Sequence, residues 1–441
     1  MRSIWRREPS DWPTTKYQPF NSSVTLRLQI RSRLNQYSVD QHMRSSRSRP
    51  LVSALVIAGA FGLFFLVRLL AWRYRYVIFG DAYNYYVPAG IYYIHGGLPQ
   101  LGLSQTNPEH PPLAKYTIGF FAVYFHNPNL ASLLFGFLLV LVVYLLSMKL
   151  LGTARWAALP VFLLAIDGIN VNLTLDPMLD VFMIFFGVLG IYLLVADRGN
   201  WTVLAAGVSF GFAIACKWLG GLFLLAGVIW LLRTKRLRPV AIILTLALAA
   251  YLMTYVPFII TRGFGDFVSL QFWMLTYMAQ KQIGTFGLIT ALNRVVGPYF
   301  FISRFNPLYD PFIRFGPYFV SVNNSADPLT ALLPYPVLYL QLRRLTKSSM
   351  MQLILLTNGF FIVFHLVALD PFESWLFAPV TALTSIIAGS LMVETYHLRF
   401  RNERHCDDED DNPYVKTEGV EALVEQAGAK MLSASSNGVR G

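Results

Sequence analysis

Charge is scarce in this 441-residue sequence: Asp, Glu, Lys and Arg fill only 14% of its positions, against about a quarter in soluble domains. That shortage excludes an ordinary hydrated surface. Cysteine is rarer still, with two residues. Cys216 lies inside an apolar run and Cys406 in a polar tail, so a disulfide scaffold is excluded and redox chemistry gains no support. Internal repeats and inverted hydropathy symmetry are missing, which argues against solenoids and the common transporter plan. No nucleic-acid motif accompanies the formal charge of +12. The basic residues cluster in tails and short loops, where a chain meets an anionic cytoplasmic leaflet, and nucleic acid is not an expected partner.

What is abundant is apolar: 55% of residues are hydrophobic and 15% aromatic. Runs near 51–72, 129–148, 154–169, 175–195, 202–216, 218–232, 239–260, 330–342, 350–369 and 375–393 approach the roughly 20 residues that cross a bilayer. The expected fold is an all-α polytopic membrane protein of about ten transmembrane helices, with interfacial helices in its outer loops. Residues 1–50, with ten Lys/Arg against three Asp/Glu, read as a basic disordered cytoplasmic segment. The first run is too long for a cleavable signal and lacks a cleavage site. The membrane core is expected at 51–394, with long outer loops at 73–127 and 261–329, and a polar cytoplasmic tail at 395–441. Placing "KLLGTAR", "ADRGN", "RTKRLRP", "RRLTK" and "RFRNER" inside satisfies the positive-inside bias. Both termini are then cytoplasmic, and the polar motifs fall on the opposite face.

Those motifs carry the candidate chemistry. Asp81, in "FGDAYNY", is either an exposed loop charge or a general base near a lipid-borne substrate; Tyr83, Tyr85 and Tyr86 beside it suit a sugar surface or an interfacial belt. In "EHPPLAKY" the prolines stiffen a corner and Leu113 opens a short helix. Glu109 there suits a metal or an acceptor, while His110 and Lys115 suit a phosphate, unless all three are simply hydrated. Asp176 and Asp180, four apart in "LTLDPMLDVFMIFF", are expected on one helix face, Asp176 with a capping role as its plain alternative. Lys217, in "CKWLG", is a snorkelling lysine or a phosphate counter-ion. Arg294, Arg304 and Arg314 in the second long loop are each able to meet a lipid phosphate. His365, Asp370 and Glu373 are weaker candidates. Asn172 and Asn323 head glycosylation sequons.

Taken in order, Asp81 after the first helix, "HPPLAK", "AIDGINV", "LDVFMIFF" and "CKWLGG" make the sequence resemble the protein O-mannosyltransferase family, polyprenyl-phosphate-sugar-dependent enzymes of the GT-C superfamily. The likeness covers roughly residues 75–235 and is nearest to short prokaryotic-type members. It implies that Asp81 is the catalytic base. It also implies inverting transfer of a hexose, with mannose as the expected sugar, from a polyprenyl (dolichyl) phosphate to Ser or Thr hydroxyls of proteins on the extracytoplasmic side. The implied membrane is the plasma membrane of a prokaryote or the endoplasmic reticulum of a eukaryote. The implied partners are the bilayer, the lipid-linked donor and the acceptor; no cofactor is specified, and a divalent metal at Glu109 is an option. Three positions depart from the family pattern. Ala82 replaces the Glu that usually follows the first-loop Asp. Leu175 or Val171 stands where an Arg is usual, and "NPNLASLLFG" lacks a Trp-Arg pair. These departures keep a lipid or polysaccharide acceptor open, as in aminoarabinose transferases. A transporter remains a third reading, from another class.

Overall fold

The computed structural model describes residues 50–74, 80–101, 106–196, 199–282, 300–304, 312–316, 318–322, 348–368 and 378–410. Arg294, the expected run at 330–342, Asn323, Asp370 and Glu373 lie outside them. The chain divides into a short unit, residues 1–55, of which the helical residues from Pro50 are described, and a large unit, residues 56–441.

Helix α1 (Pro50–Tyr74) is followed by a π turn (Ala82–Tyr86) that runs directly into α2 (Val87–Ile94). Helix α3 (Leu113–Tyr124) starts where the Pro111–Pro112 pair ends, and α4 (Asn129–Leu151) stops at Gly152, whose φ of 69° provides the left-handed cap. The run expected as one helix near 154–169 is two, α5 (Ala154–Ile166) and α6 (Gly168–Leu175), bent by 68° at Asp167. Next come α7 (Leu179–Ala196), α8 (Asn200–Cys216), a 3-10 turn at Trp218–Gly220 and α9 (Gly221–Arg233). The expected 239–260 helix is likewise a bent pair, α10 (Leu237–Met253) and α11 (Val256–Arg262), at 61°. Pro257 in the first turn of α11 has no N–H to continue a helix from α10.

Helix α12 (Phe264–Gln282) leads into a segment expected to be interfacial helices, where the chain instead forms three antiparallel strands: β1 (Phe300–Arg304), β2 (Phe312–Phe315) and β3 (Tyr318–Val322), in the order β1-β3-β2. Their sequences, "FFISR", "FIRF" and "YFVSV", are aromatic and β-branched, which fits a pleated surface better than a helix. Gly316, with φ 58°, turns β2 towards β3 so that Phe315 pairs with Tyr318. Helices α13 (Ser349–Ala368) and α14 (Ala378–Asp410) complete the described chain, α14 continuing into the segment expected as a tail.

Among the described residues, four helices are long and apolar enough to cross a membrane singly: Val52–Arg73, Asn129–Leu151, Leu179–Ala196 and Ala378–Tyr396. Each bent pair adds a fifth and a sixth if it counts as one span, and three shorter apolar helices lie at Asn200–Cys216, Trp218–Arg233 and Ser349–Phe364. Nine of the ten expected runs coincide with described helices, and the tenth, 330–342, lies outside the described residues. The spans in α7 and α14 are each 72% buried, against 17% for the span in α1, so α7 and α14 lie inside the bundle and α1 is the most exposed of the four. Phe182, Phe210 and Phe223 are wholly enclosed there, the last two seated over Gly190 and Gly187. Any Cβ at either glycine would displace a ring.

Candidate active site

Asp81 heads the π turn, half-buried, and its side chain makes no capping bond. No described residue bonds or pairs with its carboxylate, so the acid is available as a proton acceptor. Two residues on, the Tyr83 hydroxyl lies 2.9 Å from Asn129 Oδ1, at the start of α4, and 3.2 Å from Asp176 Oδ1. A phenol has one proton. Donated to the carboxylate, it leaves the phenol oxygen free to accept from the Asn129 amide in its flipped orientation. The turn bearing Asp81 is thereby tied to two other elements.

Asp176 and Asp180 do not share a helix face, as the spacing suggested. Pro177 forces the preceding residue out of helical geometry, and Asp176 sits extended at φ −110°, ψ 148°, as the residue that ends α6. Asp180 lies in the first turn of α7. The two buried acids therefore point to different partners: Asp176 to Tyr83, and Asp180 to Lys217, whose Nζ stands 2.9 and 3.2 Å from its two oxygens. Lys217 is reachable because α8 stops at Cys216 and the next residue is extended.

The "EHPPLAKY" corner is organised from inside. On α3 the inward face is Ala114, Lys115, Ile118 and Gly119, so Lys115 is carried into the protein. Its ammonium is fully buried and donates to Asn107 O at 2.5 Å and His110 O at 2.6 Å, with Asn107 Oδ1 at 3.4 Å. Three donors meet three acceptors. Asn107 presents them from a left-handed conformation, φ 41°, which asparagine tolerates. Its amide also donates to Glu109 Oε1 at 2.9 Å. Burial lowers the Lys115 ammonium from 10.5 to about 7, Glu109 partly opposing this. Tyr93 bonds Thr106 O at 2.5 Å, and burial pushes its phenol up. Helix α2 approaches α3 closely because Gly90 faces Gly119, where either Cβ would overlap backbone.

Several sequence expectations change here. Lys115, expected to meet a donor phosphate, is committed to the carbonyls that shape its own corner. Lys217, expected in the same role, is committed to Asp180. His110 is half-buried with its ring edge-on to Tyr86 at 5.9 Å between centroids. Arg304 lies on β1, and Arg314, on β2, is exposed with Nε donating to Gly316 O at 3.1 Å. Among the described residues no group of three His, Cys, Asp or Glu is arranged to hold a metal ion, so Glu109 has no co-ligands for the metal considered there. Thr174, in the Asn172 sequon, is buried.

Sequence reasoning also missed residues. Arg68 on α1 is 2% exposed and bonds Thr174, while Asp167 caps α6 by accepting from Asn170 N at 2.7 Å. The signal for Arg68 was available: a lone arginine inside an apolar run is expensive unless it is held. Asn107 and Asn129 gave none.

The bundle of apolar helices that carries this tethered acidic turn, at one end of α4 and α6, has a fold similar to those of two solved proteins. Residues 109–261 match the family model of dolichyl-phosphate-mannose-protein mannosyltransferase. The fold is similar to ArnT from Cupriavidus metallidurans bound to undecaprenyl phosphate, with TM-score 0.54 and 16% identity, over 75% of this chain and 60% of that one. It is also similar to the archaeal oligosaccharyltransferase AglB from Archaeoglobus fulgidus in complex with an inhibitory peptide and a dolichol-phosphate, with TM-score 0.52 and 14% identity, over 87% of this chain and 55% of that one. The chain thus spans less than two thirds of either of these proteins. No curated protein matches the sequence.

Proposed function

We propose that this chain is an integral-membrane glycosyltransferase that uses a polyprenyl (dolichyl) phosphate-linked hexose, with mannose as the expected sugar, and glycosylates Ser or Thr hydroxyls of proteins with inversion. The observation that carries the reading is the carboxylate of Asp81, without a partner among the described residues, in a turn held by Tyr83 against Asp176. In the proposed step Asp81 takes the acceptor hydroxyl proton as its oxygen attacks the sugar C1, and the C1–O bond to phosphate breaks with its electron pair leaving on the lipid phosphate. Cations near the leaving phosphate lower that barrier. With Lys115 and Lys217 committed inside the protein, His110, Arg294 and Arg304 are the proposed phosphate contacts. The match to the mannosyltransferase family model over residues 109–261 supports the donor class. The positive-inside distribution supports cytoplasmic termini and an extracytoplasmic site.

The direct test is incubation of the purified protein in vesicles with labelled polyprenyl-phosphate mannose and, separately, labelled nucleotide-mannose. Transfer from the lipid donor alone is expected; transfer from the nucleotide sugar would overturn the donor assignment. Ala82, in place of the usual Glu, favours a second reading with a lipid or polysaccharide acceptor. Label recovered in solvent-extractable lipid instead of protein would decide for it.

A further inference from the structure

The bend between α5 and α6 leaves carbonyls at the end of α5 without helical partners. One of them, Ala165 O, accepts from Arg68 Nη1 at 2.9 Å, although Arg68 belongs to α1. The same nitrogen reaches Phe64 O at 3.2 Å, Nε donates to Thr174 Oγ1 at 2.8 Å, and the guanidinium lies 3.7 Å from the centre of the Phe64 ring. Asp167, whose charge acts on Arg68, secures the far side of the bend: its Oδ1 accepts from Asn170 N and Nδ2 at 2.7 and 2.6 Å. Asn170 Nδ2 in turn reaches Thr381 Oγ1 on α14 at 2.7 Å. Arg68 Nη2 has no hydrogen-bond partner among the described residues.

A buried guanidinium with an unfilled donor is a costly way to join helices that apolar residues could pack as well. What it holds explains the arrangement. Thr174 lies two residues before Asp176, the acid beneath Tyr83. We propose that Arg68 is a positioning residue: from α1 it fixes the α5–α6 bend, so that Asp176 meets Tyr83 and the turn carrying Asp81 keeps its place. Its effect on turnover rests on the reading of Asp81 as base; its effect on geometry does not.

The experiment measures geometry first. Tyr83→Cys and Asp176→Cys are introduced together in a chain carrying Cys216→Ala and Cys406→Ser, and the pair is cross-linked with a short bis-maleimide in purified, monodisperse protein. Adding Arg68→Lys is expected to lower the cross-linking rate roughly tenfold, as is the milder Thr174→Val, which keeps the arginine. The two together should cost less than the sum of the single effects, because both remove the Arg68–Thr174 bond. In the chain with native residues at 83 and 176, Thr174→Val is expected to lower kcat while leaving the donor KM unchanged. Unchanged cross-linking in both variants overturns the proposal, as does a loss confined to variants that no longer elute as a monodisperse species. Cross-linking that responds as expected, together with no glycosyl transfer by the chain with native residues at 83 and 176, would overturn the proposed function and leave the positioning role standing.

Discussion

The hydroxyl of Tyr83 stands 3.2 Å from Oδ1 of Asp176, 93 residues further along the chain, and joins the turn that carries Asp81 to the end of a helix in the bundle. With the 2.9 Å contact of the same hydroxyl to Asn129 Oδ1, it fixes a surface turn within the candidate site. Tyr83→Phe keeps the ring and deletes both contacts of the hydroxyl. A hydrogen bond to a carboxylate is worth about 1.5–3 kcal/mol, so turnover is expected to fall by about tenfold or more with the protein still folded. Steady-state kinetics on purified protein checks this; unchanged turnover would mean the turn is held by something else.

Lys217 and Asp180 form an ion pair with side chains 7% and 0% exposed. Removing one partner of a buried pair strands the other charge, at a cost of about 3–5 kcal/mol, whereas removing both is close to neutral. Lys217→Met should therefore destabilise the protein strongly, and Lys217→Met with Asp180→Leu should recover most of the loss in thermal unfolding. Two single variants and a double that are equally unstable would contradict a role confined to pairing.

Lys115 gives a pH dependence with a definite sign. Its folded value, about 7, lies below the unfolded 10.5 because burial disfavours the charged form. Between those two values the unfolded chain binds more protons than the folded one, so stability rises with pH across that window and is flat and lowest below it. Lys115→Met removes this slope. The unfolding-midpoint difference between wild type and variant should climb from pH 7 towards pH 10.5. A difference independent of pH would contradict the burial of the ammonium.

The apolar runs made the helices legible, because a span is a property of many residues at once and tolerates errors at its ends. The start of α3 at Leu113 was legible for a local reason, the two prolines before it. Directions of single side chains were not. Asp176 and Asp180 have helical spacing in sequence, and only the backbone restriction imposed by Pro177 sends them apart. Lys115 reads as an exposed charge, yet its place on α3 beside Ala114, Ile118 and Gly119 carries it inward, and the acceptors that make this tolerable come from Asn107 and His110 in the preceding turn. The strands between Phe300 and Val322 were masked by the same aromatic richness that suits interfacial helices. Arg68 was readable as an intramembrane charge, but its partners lie 97 and 106 residues away, at a separation no local pattern carries.

The sharpest measurement is transfer of labelled sugar from polyprenyl phosphate by Asp81→Asn in membranes matched for protein level. The side chain keeps its size and loses its basicity, and Asp81 makes no capping bond in its turn for the change to disturb. General base catalysis contributes about 10²–10⁴-fold, so transfer is expected to fall to background while the folded protein persists. Full retained turnover would contradict the assignment of Asp81 as the base.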